Sequence, residues 1–186
     1  MSPVQTLLEE HQLIRKALEN LVLAMEMIEN DEKVTPELFE KWDQFYQSFI
    51  LNYHHFKEEY VLFRELAQKQ KGAMDAQLDA LRYQHERGRE IMNRVRESLS
   101  GYYKADPGAT ATLLENLAAY AALLRHHIHR EEHVYYPMIV SLFSEAEKKK
   151  LVELMQAETE RVPAATRLQY QTMVDEMGKQ VARETI

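Results

Sequence analysis

Eight histidines, His11, His54, His55, His85, His126, His127, His129 and His133, are the residues of this chain best placed to do chemistry. Two of them begin the same short pattern, with Glu58 four residues after His54 and Glu131 four residues after His127. On a helix that spacing stacks both donor atoms on one face. One such pair alone is ordinarily a solvated contact contributing roughly 0.3 kcal/mol. Two pairs, joined by the isolated His11 and His85, supply four imidazoles and two carboxylates, and that donor set is suited to holding metal ions.

The pattern is duplicated. His11 and His54 are separated by 43 residues, His85 and His127 by 42. Sliding the chain on itself by 73 to 74 positions lays His54-His55-Phe56-Lys57-Glu58-Glu59-Tyr60-Val61-Leu62-Phe63 over His127-Ile128-His129-Arg130-Glu131-Glu132-His133-Val134-Tyr135-Tyr136. Leu7, His11 and Arg15 fall on Leu81, His85 and Arg89 in the same way. Two half-copies that each contribute one His-x-x-x-Glu helix and one single-His helix can converge on a central point and offer equivalent ligands to two ions, each carboxylate bridging them. The remaining histidines do not fit the duplication. His129 and His133 are four apart but off the face of His127, and are expected in solvent. His55 and His126 neighbour the proposed ligands and are open to roles as outer hydrogen-bond partners, interface residues or, for His55, an additional ligand.

The elements that must carry these residues are helices. Five Gly and five Pro punctuate long stretches of Leu, Glu, Ala, Lys, Arg, Gln and Met, all good helix formers. Ser2-Pro3-Val4-Gln5 reads as a capping box opening a first helix to about Asn30. Thr35-Pro36 opens a second, reaching Gln70 before Lys71-Gly72, and a third fits Met74 to Tyr102. Asp106 caps a fourth that extends to about Leu142, with Pro137 expected to kink it near the site. Ser144 and Glu147 form a second capping box before a short helix to Arg161, and Pro163 starts a last helix toward Glu184. The expected fold is all-α: an antiparallel up-down four-helix bundle over residues 1–143, with residues 144–186 as a C-terminal helical extension packed on the bundle or on a partner. Met25, Met27, Met92, Met138 and Tyr120 belong by spacing to its core, while Phe63, Tyr135 and Tyr136 should wall the site off from water.

Composition narrows the chemistry. With 186 residues and 45% hydrophobic content the chain can bury a sizeable core. The absence of cysteine removes disulfides, thiolate ligands and a thiol nucleophile. A net charge of -7 with no basic run longer than Lys148-Lys149-Lys150 argues against nucleic acid. No apolar run approaches the roughly 20 residues of a membrane span, and the first residues do not read as a secretion signal, so a cytoplasmic protein is expected. Imidazole and carboxylate donors without sulfur suit iron, manganese or zinc, and six ligands over four helices exceed what one structural zinc uses.

These residues resemble the hemerythrin family, in particular its bacterial hemerythrin-like branch (HHE cation-binding), over roughly residues 5 to 142. The signature falls on His54 to Phe63 and on His127 to Met138, with Glu10-His11 and His85-Glu86-Arg87-Gly88-Arg89 on the first and third helices. The resemblance implies His11, His54, Glu58, His85, His127 and Glu131 as metal ligands, and two iron ions (Fe2+/Fe3+) with an oxo or hydroxo bridge. It also implies a non-haem diiron protein that binds or reacts with dioxygen, peroxide or nitric oxide, in oxygen handling, oxidative stress or sensing. Two departures stand out. Oxygen carriers of the family have a second histidine one turn along the third helix, where this chain has Arg89, and their fourth-helix carboxylate would be Glu132 where the internal symmetry selects Glu131. Reversible oxygen carriage is therefore not the expectation; His55 or Glu86 could complete the coordination. A metal-dependent regulatory module that signals through its C-terminal helices is the alternative, and a homodimer is compatible with either reading.

Overall fold

The computed structural model describes residues 2–182, so the expected end of the last helix at Glu184 lies outside the described residues. Among those residues every regular element is helical, arranged as six helices. Helix α1 is Gln5–Glu29. Helix α2 covers 36–70 and changes pitch along its length: α-helical Pro36–Phe45, π-helical Tyr46–His55 and Glu58–Leu62, then α-helical Phe63–Gln70. Helix α3 is Asp75–Tyr102. Helix α4 covers 107–142 as Pro107–Arg130, a π-helical turn Glu131–Tyr135 and Tyr136–Leu142. Helices α5 (Glu145–Arg161) and α6 (Ala164–Val181) follow. An all-α helical bundle with additional C-terminal helices is thus the observed architecture.

Local chemistry explains most of the boundaries. Asp106 accepts from the backbone N–H of Gly108 at 2.8 Å and of Ala109 at 3.0 Å, satisfying two of the free donors that open α4. Ser144 and Glu147 form the reciprocal capping box expected for α5. The box expected at Ser2 does not form. The Ser2 carbonyl accepts from the Gln5 N–H at 3.1 Å, and the Gln5 amide reaches forward to Glu9 instead. At the end of α2, Lys71 takes a left-handed conformation and Gly72 a φ of 92°, which reverses the chain into α3.

Short connections make neighbouring helices antiparallel. Helix α3 packs along α4, α1 packs on α4 and on the π-helical part of α2, and α6 lies across α1 and α2. Burial follows the amphipathic pattern and produces two apolar clusters. The larger contains Leu18, Leu21, Trp42, Phe45, Leu117 and Tyr120; the smaller contains Leu7, Leu62, Phe63, Leu66, Tyr136 and Ile139. His11, His54, His85 and His127 fall between them along their helices. Met92 and Tyr120 are buried as expected, whereas Met25, Met27 and Met138 are half-buried at the cluster margins.

Helices α3 and α4 approach closely at Gly101, where an added Cβ would lie 2.3 Å from the Cβ of Ala109. Neither partner is a flexible side-chain end, so the helices would have to part. Gly101→Ala is expected to lower stability by roughly 1–2 kcal/mol, although alanine is intrinsically the better helix former. Urea unfolding would test this, and a stabilised variant would contradict the close approach.

Candidate metal centre

The six residues singled out by spacing meet at one buried point. The Nε2 atoms of His11 and His54 are 3.1 Å apart, and those of His85 and His127 are also 3.1 Å apart. Two carboxylates lie between the pairs. Glu58 Oε2 is 3.8 Å from His54 Nε2 and 3.3 Å from His85 Nε2. Glu131 Oε2 is 3.3 Å from His11 Nε2, and its Oε1 is 3.1 Å from His127 Nε2. Each carboxylate therefore touches one imidazole of each pair. Both are fully buried.

A π-helical turn presents each carboxylate. The Phe63 N–H donates to the Glu58 carbonyl, and the Tyr136 N–H donates to the Glu131 carbonyl, five residues back in both cases. In α4 the widened turn lies just before Pro137, the residue from which a kink was expected. Because Arg64 occupies the equivalent place in the other half and the turn forms there too, the proline is not its cause.

Outward-facing partners fix the rings. His11 Nδ1 is 2.9 Å from Glu132, His54 Nδ1 2.9 Å from Glu10, His85 Nδ1 2.7 Å from Glu59, and His127 Nδ1 2.8 Å from the Gln84 side-chain oxygen. These oxygens accept only, so each Nδ1 carries the hydrogen and Nε2 faces inward. Three of the four partners are carboxylates, each with its own cation: Arg15 on Glu132 at 2.5 Å, Arg89 on Glu59 at 3.4 Å, and Lys57 on Glu10. Lys57 is only 1% exposed and lies 3.6 Å over the Tyr53 ring. Above the rings, Tyr136 stacks on His11 at 5.7 Å and Phe63 on His85 at 6.3 Å. The Tyr136 hydroxyl also donates to Glu58 Oε1.

The other acidic and histidine candidates separate cleanly. Glu86 points to solvent and pairs with Arg89 at 2.8 Å, so it is removed from the donor cluster. Glu132 lies behind His11, and Glu131, the residue selected by internal symmetry, lies inside. His126, His129 and His133 are exposed, the last two stacked on each other at 4.3 Å. His55 is buried and stacked on His85 at 3.7 Å. The outer partners Glu10, Gln84, Glu59 and Lys57 had no assigned role in the sequence. Their signal was there in the duplication, since a Glu or Gln precedes each single histidine and a second Glu follows each inner one.

The cluster is electrostatically incomplete as a purely protein assembly. With Nδ1 protonated, two facing Nε2 lone pairs at 3.1 Å repel unless something positive sits between them. Burial drives the pKa values of His127 and His54 down, opposing a proton as the remedy there. His85 is the exception: burial lowers its pKa, but the Glu58 and Glu59 carboxylates beside it outweigh this and raise it to about 9, so that a proton takes the place of a cation between His85 and His127. Burial and the neighbouring charge of Glu58 push Glu131 well above the usual carboxylate range. Burial also raises Glu58, but the surrounding imidazoles, His54 foremost, reverse this and hold it ionised. Neither oxygen of Glu131 and only one oxygen of Glu58 has a hydrogen-bond partner. Donor atoms of His11, His54, Glu58 and Glu131 lie within 4.8 Å of one another, as do those of His55, Glu58, His85 and His127. Two cations sharing Glu58 fit this arrangement and would relieve both the lone-pair and the carboxylate conflicts.

The model of the hemerythrin HHE cation binding domain matches residues 2–139 of the chain. Curated relatives include Uncharacterized protein Rv1995 of Mycobacterium tuberculosis (strain ATCC 25618 / H37Rv) and Uncharacterized protein Mb2018 of Mycobacterium bovis (strain ATCC BAA-935 / AF2122/97). Each is 27% identical over 157 residues, covering 84% of this chain and 61% of the relative, so the chain spans less than two thirds of their length. No solved structure matches it at a significant level.

Cation uptake must displace the protons on His85 and Glu131. Binding of a divalent cation near neutral pH is therefore expected to release protons, and bound cation should be lost as the pH falls. A dye-linked proton count during anaerobic titration tests this, and uptake without proton release would contradict it. In the metal-free protein the sign at His85 is opposite. Its raised pKa contributes stability that is fully present below its ordinary 6.5 and is lost as pH rises through about 9.

Proposed function

Because the chain belongs to the hemerythrin HHE cation-binding family, we propose that it is a non-haem diiron protein that binds or reacts with dioxygen, peroxide or nitric oxide. In this reading His11, His54, Glu58, His85, His127 and Glu131 hold the two irons. The observation that carries it is that each buried carboxylate lies between one imidazole of either pair. Nitrogen and oxygen donors without sulfur favour iron or manganese over a closed structural zinc. When bound, an iron pair supplies a Lewis acid and electrons for a small diatomic molecule or peroxide.

The chain's own groups provide the rest. Outer carboxylates hold the imidazoles in the ligating tautomer, and their paired Arg15, Arg89 and Lys57 keep the surrounding charge balanced. Tyr136 and Phe63 cover the rings and exclude bulk water, with the Tyr136 hydroxyl as a hydrogen-bond donor inside the site. Clefts of about 250 Å³ beside His55 and Glu59, and about 210 Å³ beside Glu132 and Tyr136, provide approaches of small-molecule size. No described helix is long and apolar enough to cross a membrane, in keeping with a cytoplasmic role.

Metal analysis of the purified protein, with spectra in air and after dithionite, tests the proposal. About two irons per chain and a bleachable near-ultraviolet band that responds to dioxygen, peroxide or nitric oxide are expected. His54→Ala and His127→Ala should each lose metal, whereas His129→Ala should not. A chain that retains no iron after anaerobic loading would overturn it.

A second reading, metal-dependent regulation through the C-terminal helices, is favoured by one observation. Leu151 and Met155 of α5 share the apolar cluster with Leu62 and Phe63, at the end of the turn that carries Glu58. Hydrogen exchange in α5 that changes on metal loading would support it, and unchanged exchange would remove it.

A further inference from the structure

His55 is one of the positions at which the duplication is broken. It lies on α2 where the second half has Ile128, and it is the one buried histidine whose two ring nitrogens both lack a hydrogen-bond partner. The other four buried histidines each have an outward acceptor on Nδ1. A buried imidazole without a partner is costly, and nothing in an apolar structural role repays that cost. Backbone geometry explains how two adjacent histidines both turn inward. Successive side chains on an α-helix diverge by about 100°, and the wider turn of π-helical Tyr46–His55 narrows that angle. The equivalent stretch of α4 is α-helical up to Arg130. The donor atoms of His55 lie within 4.8 Å of those of Glu58, His85 and His127.

We propose that His55 is a seventh protein ligand, completing the cation position of His85 and His127. The two positions are then unequal. The one at His85 and His127 has a third imidazole, whereas the one at His11 and His54 has two and lies beside the Tyr136 hydroxyl, 3.5 Å from His11 Nε2. The histidine absent one turn along α3, where Arg89 stands, is thus replaced from a different helix. This inference rests on the diiron reading above.

The test replaces His55 with the residue its twin position already uses. Ferrous iron is titrated anaerobically against a competing chelator into the wild-type chain, His55→Ile, His55→Gln and the control His126→Ala. One of two irons is expected to be held at least about tenfold more weakly in both His55 variants, with the control unchanged. Without metal, His55→Ile should unfold at a higher temperature than wild type, because an unsatisfied polar group has left the core. His55→Gln keeps a polar side chain should the isoleucine disturb folding. If either folded variant holds both irons with wild-type affinity, His55 is not a ligand and the proposal falls. A wild-type chain that takes up no iron would instead overturn the diiron reading together with this inference.

Discussion

The constraint on which the rest of this structure depends is that imidazole Nε2 atoms must face one another across two carboxylates in a dry interior. Such a cluster is unfavourable for the protein alone: facing lone pairs repel unless a proton or a cation separates them, and two carboxylates cannot both ionise in one buried space. Every surrounding feature manages that cost. Outer acceptors on each Nδ1 prevent the rings from flipping or taking the other tautomer. Paired cations beside the outer carboxylates balance their charge. Apolar clusters above and below confine the polar atoms to one layer, so a cation entering there meets pre-set ligands and little competing water.

Duplication is an economical way to build this arrangement, and its exceptions locate specialisation. Glu58 and Glu131, Glu59 and Glu132, and Arg15 and Arg89 do the same work in each half. Phe63 opposes Tyr136, so one ring carries a hydroxyl into the site and its twin does not. Glu10 with Lys57 opposes Gln84, so His54 leans on a buried ion pair where His127 leans on a neutral amide. His55 opposes Ile128. These substitutions make the two cation positions chemically different while leaving the helices in register.

Much of this was legible in the residues, for reasons that are physical. The four-residue spacing from His54 to Glu58 and from His127 to Glu131 forces a common helix face, and the repeat at 73 to 74 positions places the faces opposite each other. Asp106 and Ser144 mark helix starts because their side chains satisfy backbone donors. The π-helical turns were not legible, since bonding five residues back instead of four leaves no distinctive residue type. A lysine is ordinarily a surface residue, so the buried Lys57 could be recognised only once Glu10 stood beside it. The docking of α6 rests on contacts such as Lys16 with Asp175 and Asn20 with the Val174 carbonyl, which join residues more than 150 positions apart and follow no local pattern.

The most direct test of the account is a crystal structure of the iron-loaded protein with anomalous diffraction recorded at the iron edge. Two peaks inside the bundle are predicted, one against His11 and His54 and the other against His85 and His127, both in contact with Glu58. A single peak, or iron found only at the exposed His129 and His133, would contradict the two-cation centre on which the functional reading stands.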